Sequence, residues 1–276
     1  MDEVGPAVRR RQLSRQLKEL RVAAGFATMD AAATATGLSR ATISRIEAAK
    51  QVILPRTVRL LCQVYGIGSP ALDQLLRLAT EAGEDRSWAQ DYQGPEWFER
   101  YVCEESDATR IWTYQGELVP GLLQTEEYAR AVASPEVAAL TMDRQRRADI
   151  ANVQAIVSEA VLRRQVGGPG VLRGQLDHLC KTDATVLVLP FSAGAHPAMT
   201  AGFTMLHFPV STGVATVFVE LADDGVYRDR PADFERYSRI FSALRQAALD
   251  QDASRAFIED TQAAGPLDGV VAAPHQ

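Results

Sequence analysis

"TGLSRATISRIEAAK", residues 36 to 50, is the stretch on which the reading of this chain turns. Ile43 and Ile46 stand three apart and mark one buried side of a helix at about 100° per residue. The opposite side carries Ala41, Ser44, Arg45 and Ala48, with Arg40 and Thr42 flanking it. Ser39 is the N-cap candidate, and Leu38 can pack on Ile43 as a staple that sets the entry angle. Gly37 suits a turn that needs positive φ. An outer face of one long guanidinium, a short hydroxyl and alanines has nothing bulky to hold it away from the floor of a major groove.

Working outward, Leu13, Leu17, Leu20 and Ala24 recur at three and four, which predicts a basic amphipathic helix over residues 9 to 24 that Gly25 ends. "TMDAAATAT" predicts a short second helix capped by Thr28, with Ala33 as the small residue where two helices cross. Pro55 fits the first turn of a fourth helix with Val58, Leu61, Cys62 and Tyr65 on one stripe before Gly66. Ser69-Pro70 opens a fifth, with Leu72, Leu75, Leu76 and Ala79 inward. Charge rises and periodicity lapses at "EAGEDRS", so the expected organisation is a five-helix domain over 1–80, a linker over 81–87, a second domain over 88–257 and a disordered tail over 258–276.

Charge follows that division. The net charge is −6, yet residues 1–80 hold 12 Lys/Arg against 6 Asp/Glu, which is +6, and the remainder holds 29 − 12 = 17 against 35 − 6 = 29, which is −12. A basic segment before an acidic body is the asymmetry expected when one domain meets phosphate, and Arg9, Arg10 and Arg11 read as phosphate-directed. With 46% hydrophobic and 23% charged residues the chain is globular with a substantial core. Cys62, Cys103 and Cys180 are far apart and outside any CxxC spacing, which points to neither a disulfide framework nor a zinc site, and to a reducing cytoplasm. No apolar leader and no run of about 18 apolar residues occurs, so neither secretion nor membrane spanning is expected.

In the second domain, Trp88, Tyr92, Trp97, Phe98, Tyr101, Trp112 and Tyr114 fall in a mostly helical setting, and helices continue through Arg146 and over "PGVLRGQLDHLCK". "ATVLVLPF", "GFTMLHFP" and "VATVFVEL" are short β-branched or aromatic runs bounded by Gly and Pro, which predict a small antiparallel sheet. "ADFERYSRIFSALRQAAL" returns to helix. The fold class expected is mainly α with a smaller α+β part.

Residues 9 to 80 resemble the DNA-binding domain of the phage-repressor (Cro/CI, xenobiotic-response-element) family of helix-turn-helix regulators, through "LKELRVAAG", Ala33, Gly37, "LSRATISRIE" and the Pro55 helix. The resemblance implies that Arg40, Ala41, Ser44 and Arg45 face base edges of double-stranded DNA, that Thr28, Ser39, Thr42 and Lys50 approach phosphates, and that Arg21 and Glu47 pair between helices. The chain departs from the family pattern at Met29, where members commonly have Gln, and at Ala49, where they often have Gly.

"WFERYVCEESDATRIWTYQGELVPGLLQTEEYARAV", "LRRQVGGPGVLRGQLDHL" and "VLPFSAGAHPAM" resemble the uncharacterised C-terminal domain of actinobacterial regulators of development and antibiotic production. That resemblance implies a small protein partner encoded nearby, in an antitoxin-like arrangement. The expectation is a homodimeric DNA-binding regulator whose C-terminal domain dimerises and binds the small protein or a small-molecule effector; the alternative is an antitoxin-like interaction scaffold. No enzyme activity, cofactor or metal is expected. No GxSxG elbow, phosphate loop or dinucleotide fingerprint occurs, His178, His196 and His207 are scattered, and a catalytic reading would rest only on His196 and Glu220.

Overall fold

The computed structural model describes residues 4–83 and 95–264. These residues form two compact units. The first comprises the described residues up to Ala108 together with His207–Val214; the second comprises Thr109–Leu206 and the described residues from Ala215 onward.

The first unit holds helices α1 (Pro6–Ala23), α2 (Met29–Thr36), α3 (Arg40–Glu47), α4 (Pro55–Tyr65), α5 (Ala71–Gly83) and α6 (Glu96–Ser106). Pro6 and Pro55 sit in the first turns of α1 and α4, where a missing N–H costs nothing. Leu13 and Leu17 of α1, Ile43 and Ile46 of α3, Val58 and Leu61 of α4 and Leu75 of α5 share one core. Each such side chain stabilises the unit by roughly 1.5–3 kcal/mol through burial. Residues 81–83 are the last turn of α5, and 84–87 of the expected linker lie outside the described residues.

The second unit contains β1 (Arg110–Gln115), α7 (Glu126–Val132), α8 (Pro135–Arg147), β2 (Val153–Ser158), α9 (Glu159–Arg163), α10 (Pro169–Lys181), β3 (Thr185–Leu189), β4 (Phe203–His207), β5 (Ala215–Glu220), β6 (Gly225–Arg228), α11 (Pro231–Ala247) and α12 (Gln251–Ala264). The chain is thus mainly α with a smaller α+β part, as expected. The sheet departs from expectation: it is mixed and six-stranded, in the order β3-β2-β1-β4-β5-β6. β1 with β2 and β2 with β3 run parallel, and the β5–β6 hairpin is antiparallel. Parallel pairing follows from the connections, because α7–α8 and α9–α10 carry the chain back to the end where each strand began.

Strands β1 and β2 escaped the sequence reading. Ala155, Ile156 and Val157 of β2 are all buried, and a strand covered on both faces loses the alternation that marks strands in sequence. Trp112 and Tyr114, expected in a helical setting, lie on β1. The ring of Trp112 stacks on Phe241 of α11 at 5.1 Å between centroids, and Phe203 meets Tyr237 edge-on at 5.0 Å, so these aromatics are core. Trp97, Phe98 and Tyr101 belong to α6 of the first unit, while Trp88 and Tyr92 lie outside the described residues. α12 runs to Ala264 with Ile258 and Thr261 buried, so the expected tail is helical as far as that residue; 265–276 lie outside the described residues. At the sheet edge, Val188 N–H of β3 donates to Ser254 Oγ at 2.9 Å and Val188 O accepts from Leu249 N–H at 2.9 Å, satisfying part of an edge that would otherwise be open.

Candidate nucleic-acid interface

The interface is built from two short helices and the turn between them. Thr28 caps α2, its Oγ1 accepting from Ala31 N–H at 3.2 Å, and Gly37 leaves the helix at φ 72°, in the left-handed region. Thr36, a residue the sequence reading passed over, pins that turn: its hydroxyl donates to Ala32 O at 2.7 Å and accepts from Leu38 N–H at 3.3 Å. Ser39 caps α3 by accepting from Thr42 N–H at 3.0 Å, and the two hydroxyls lie 2.9 Å apart.

With Ile43 and Ile46 each only 1% exposed, the rest of α3 is oriented. Ser39, Arg40, Ala41, Ser44, Arg45 and Ala48 are exposed, Thr42 is half-buried, and Thr28 and Lys50 are exposed on the flanks. The eight residues named from the resemblance therefore lie along α3 and the ends of its neighbouring segments. Arg40 reaches Asp30 of α2, Nε to Oδ1 at 3.3 Å, with both side chains about 70% exposed. Such an exposed pair is weak and can exchange for a phosphate or a base edge. Asp30 carried no sequence signal, since nothing in a ten-residue separation marks a contact across the turn.

The exit from α3 is more specific. Lys50 N–H donates to Arg45 O at 2.9 Å and Ala49 N–H to Ile46 O at 3.1 Å, which places Ala49 at φ 56°. The ends of α1 and α4 make the same pair of bonds, with glycines at the left-handed position: Gly25 at φ 86° and Gly66 at φ 75°. An alanine there bears a Cβ that crowds the following carbonyl, at about 1–2 kcal/mol. Ala49→Gly is expected to raise stability by about 0.5–1 kcal/mol after the added unfolded-state freedom of glycine is subtracted; no rise in the urea midpoint would show that the position carries no strain.

Arg21 and Glu47 do pair between helices. Arg21 Nε to Glu47 Oε1 is 2.5 Å and Nη2 to Oε2 is 3.1 Å, with both side chains 5% exposed, and Nη1 donates to Phe26 O. The Glu47 hydrogen bond lifts the guanidinium above its usual pKa even against burial. Two arginines of the run at the start of α1, read in sequence as phosphate-directed, meet carboxylates within the fold. Arg9 pairs with Glu81 and with Val4 O, and Arg11 donates to Glu104 at 2.9 Å, so both are engaged with carboxylates of their own unit.

Away from the interface, both His196 ring nitrogens are engaged. Nε2 lies 3.2 Å from Tyr114 Oη and Nδ1 accepts from Ala198 N–H at 3.3 Å. Burial pulls the imidazole below its ordinary pKa. Glu220 is exposed at the end of β5. Among the described residues, no group of three or more His, Cys, Asp or Glu is placed to hold a metal ion, and no helix is long and apolar enough to cross a membrane.

Two capped helices, a left-handed glycine turn and an exposed second helix define a helix-turn-helix protein, a DNA-binding regulator. Comparison with known families agrees: a helix-turn-helix domain is matched over residues 12–76, and a domain of unknown function (DUF5753) over residues 98–260. The chain belongs to this DUF5753 family. No curated protein and no solved structure matches it.

Proposed function

We propose that the chain is a sequence-specific transcriptional regulator of the phage-repressor type that lays α3, from Ser39 to Ala48, in the major groove. It acts as a homodimer in the cytoplasm, and its C-terminal domain serves dimerisation and the binding of a small protein or ligand. The observation that carries this reading is the outer face of α3: Arg40, Ala41, Ser44 and Arg45 stand exposed opposite buried Ile43 and Ile46. Arg45 and Arg40 are the groups of this face that can bond guanine O6 and N7, and the small residues between them permit close approach. Thr28, Ser39, Thr42 and Lys50 flank it as backbone contacts.

The test is selection of duplexes from a random-sequence pool by the purified full chain, followed by footprinting. Two half-sites about one helical turn apart are expected from a two-fold dimer; recovery of no common sequence would end the reading. Arg45→Ala is expected to cost about 1–3 kcal/mol on the selected duplex and to relax preference at one base pair. An unaltered ratio of selected to scrambled affinity would remove Arg45 from base reading. Lys50→Ala is expected to weaken all sequences alike and to reduce the slope of log K against log salt by about one; a loss confined to the selected sequence would contradict a phosphate role.

A further inference from the structure

Helix α1 opens without a cap of its own. Gly5 stands at its N-cap and offers no side chain to the first turn, whose N–H groups have no partner within the helix. The carboxylate that reaches them comes from Asp107, the C-cap residue of α6, whose Oδ2 accepts from Val8 N–H at 3.4 Å. Negative charge at this end is also favoured by the helix dipole. A Cβ on Gly5 would stand 1.7 Å from Asp107 Oδ1, so the bare Cα is what admits the carboxylate.

One turn further, Arg11 Nη1 donates to Glu104 Oε2 at 2.9 Å, while Arg100 Nε donates to Glu104 Oε1 at 2.8 Å. Glu104 is 1% exposed. Glu104 and Asp107 are three apart and so share one face of α6. A second hold comes from the turn Val210–Thr212: Gln12 Nε2 donates to Ser211 O at 3.5 Å, and Arg15 Nη2 donates to Thr212 O at 3.1 Å.

The residues doing the holding, Glu104, Asp107, Ser211 and Thr212, fall within the DUF5753 match, while α1 leads into the helix-turn-helix match. The far end of α1 carries Arg21, whose two-point pair with Glu47 anchors α3. One rigid helix is therefore held at its start by residues of the DUF5753 domain and holds the recognition helix at its end. A buried carboxylate between two guanidinium groups gains little stability over an apolar contact of the same volume, but removing the carboxylate leaves buried charge without its partner.

We infer that Glu104 and Asp107 are positioning residues for DNA binding: the DUF5753 domain contributes α6 and the 210–212 turn to the DNA-binding unit and sets the placement of α3 through α1. This inference rests on the DNA-binding reading above. Its test uses the full chain and the duplex selected by the wild-type protein, with Gly5→Ala, Glu104→Gln and the double variant Arg11→Met with Glu104→Gln. Binding is read by fluorescence anisotropy and helix order by hydrogen exchange. Gly5→Ala and Glu104→Gln are each expected to raise exchange in the first turns of α1 and to weaken the duplex about tenfold. The salt slope should stay unchanged, because no phosphate contact is lost. The double variant, which removes the more buried of the two guanidinium groups left by Glu104→Gln, Arg11 at 12% exposed against Arg100 at 32%, should recover part of the affinity.

Should Glu104→Gln fail to fold, Gly5→Ala leaves every buried charge paired and carries the test. Raised exchange with wild-type affinity would reduce the contacts to a structural role and overturn the inference, as would unaltered exchange. A pool that yields no duplex would instead defeat the DNA-binding reading itself, and this inference with it.

Discussion

Glu47→Ala is expected to cost about 3–5 kcal/mol, because it leaves the Arg21 guanidinium buried without its carboxylate. Arg21 is 4% exposed, and three of its bonds, two to Glu47 and one to Phe26 O, hold it between α1, α3 and the turn after α1. Removing the carboxylate leaves only the carbonyl to compensate the charge, while the Cβ of alanine cannot fill the space. A domain has a margin of about 5–15 kcal/mol, so this single change consumes much of it. The measurement is urea denaturation of the full chain, reading the transition of the first unit. The paired replacement Arg21→Met with Glu47→Leu should be far milder, since it removes both charges and keeps the volume. A loss below about 1 kcal/mol for Glu47→Ala would show that water reaches the pair.

The second large effect is expected at Gln175→Leu, in the other unit. Gln175 is fully buried on α10; its Oε1 accepts from Thr125 N–H at 2.7 Å and its Nε2 donates to Leu123 O at 2.7 Å. Leucine occupies nearly the same volume but answers neither backbone group. Each group left buried without a partner costs about 1–3 kcal/mol, giving roughly 2–6 kcal/mol for the two. The segment Val119–Thr125 is held further by Gln145 Nε2 on Gly121 O and Gln124 O, both at 2.8 Å, and by Gln124 Nε2 on Val119 O at 2.8 Å. Hydrogen exchange at Thr125 should rise along with the fall in the denaturation midpoint of the second unit. A midpoint shift below that of an ordinary surface substitution, about 0.5 kcal/mol, would mean that water replaces the amide.

These two sites differ in how far they could be read from residues alone. Arg21 and Glu47 are legible as a pair because they match positions in a known helix-turn-helix pattern. Gln175 carries no such signal, since a glutamine in "GQLDHL" looks like any polar residue on a helix, and its partners lie 50 and 52 positions away. The arginines at 9 and 11 are legible as charge but not in their ion pairs. Their carboxylate partners, Glu81 and Glu104, are brought to them by α5 and α6. The β1 strand is hidden for another reason: "RIWTYQ" carries Trp112 into a core contact with Phe241 of α11, more than a hundred residues later, and its residues do not alternate strictly between apolar and polar.

From its residues alone, the chain determined the five-helix front end, the capped and glycine-turned pair α2 and α3, and the outward choice of Arg40, Ser44 and Arg45. All of these depend on interactions within a few turns of chain, where spacing translates directly into direction. Only the tertiary structure decided the order and parallel pairing of the sheet, the glutamine bonds behind Val119–Thr125, and the hold of Glu104 and Asp107 on α1. Those partners are separated by tens of residues, and their meeting depends on how whole helices and strands pack, which no local pattern encodes.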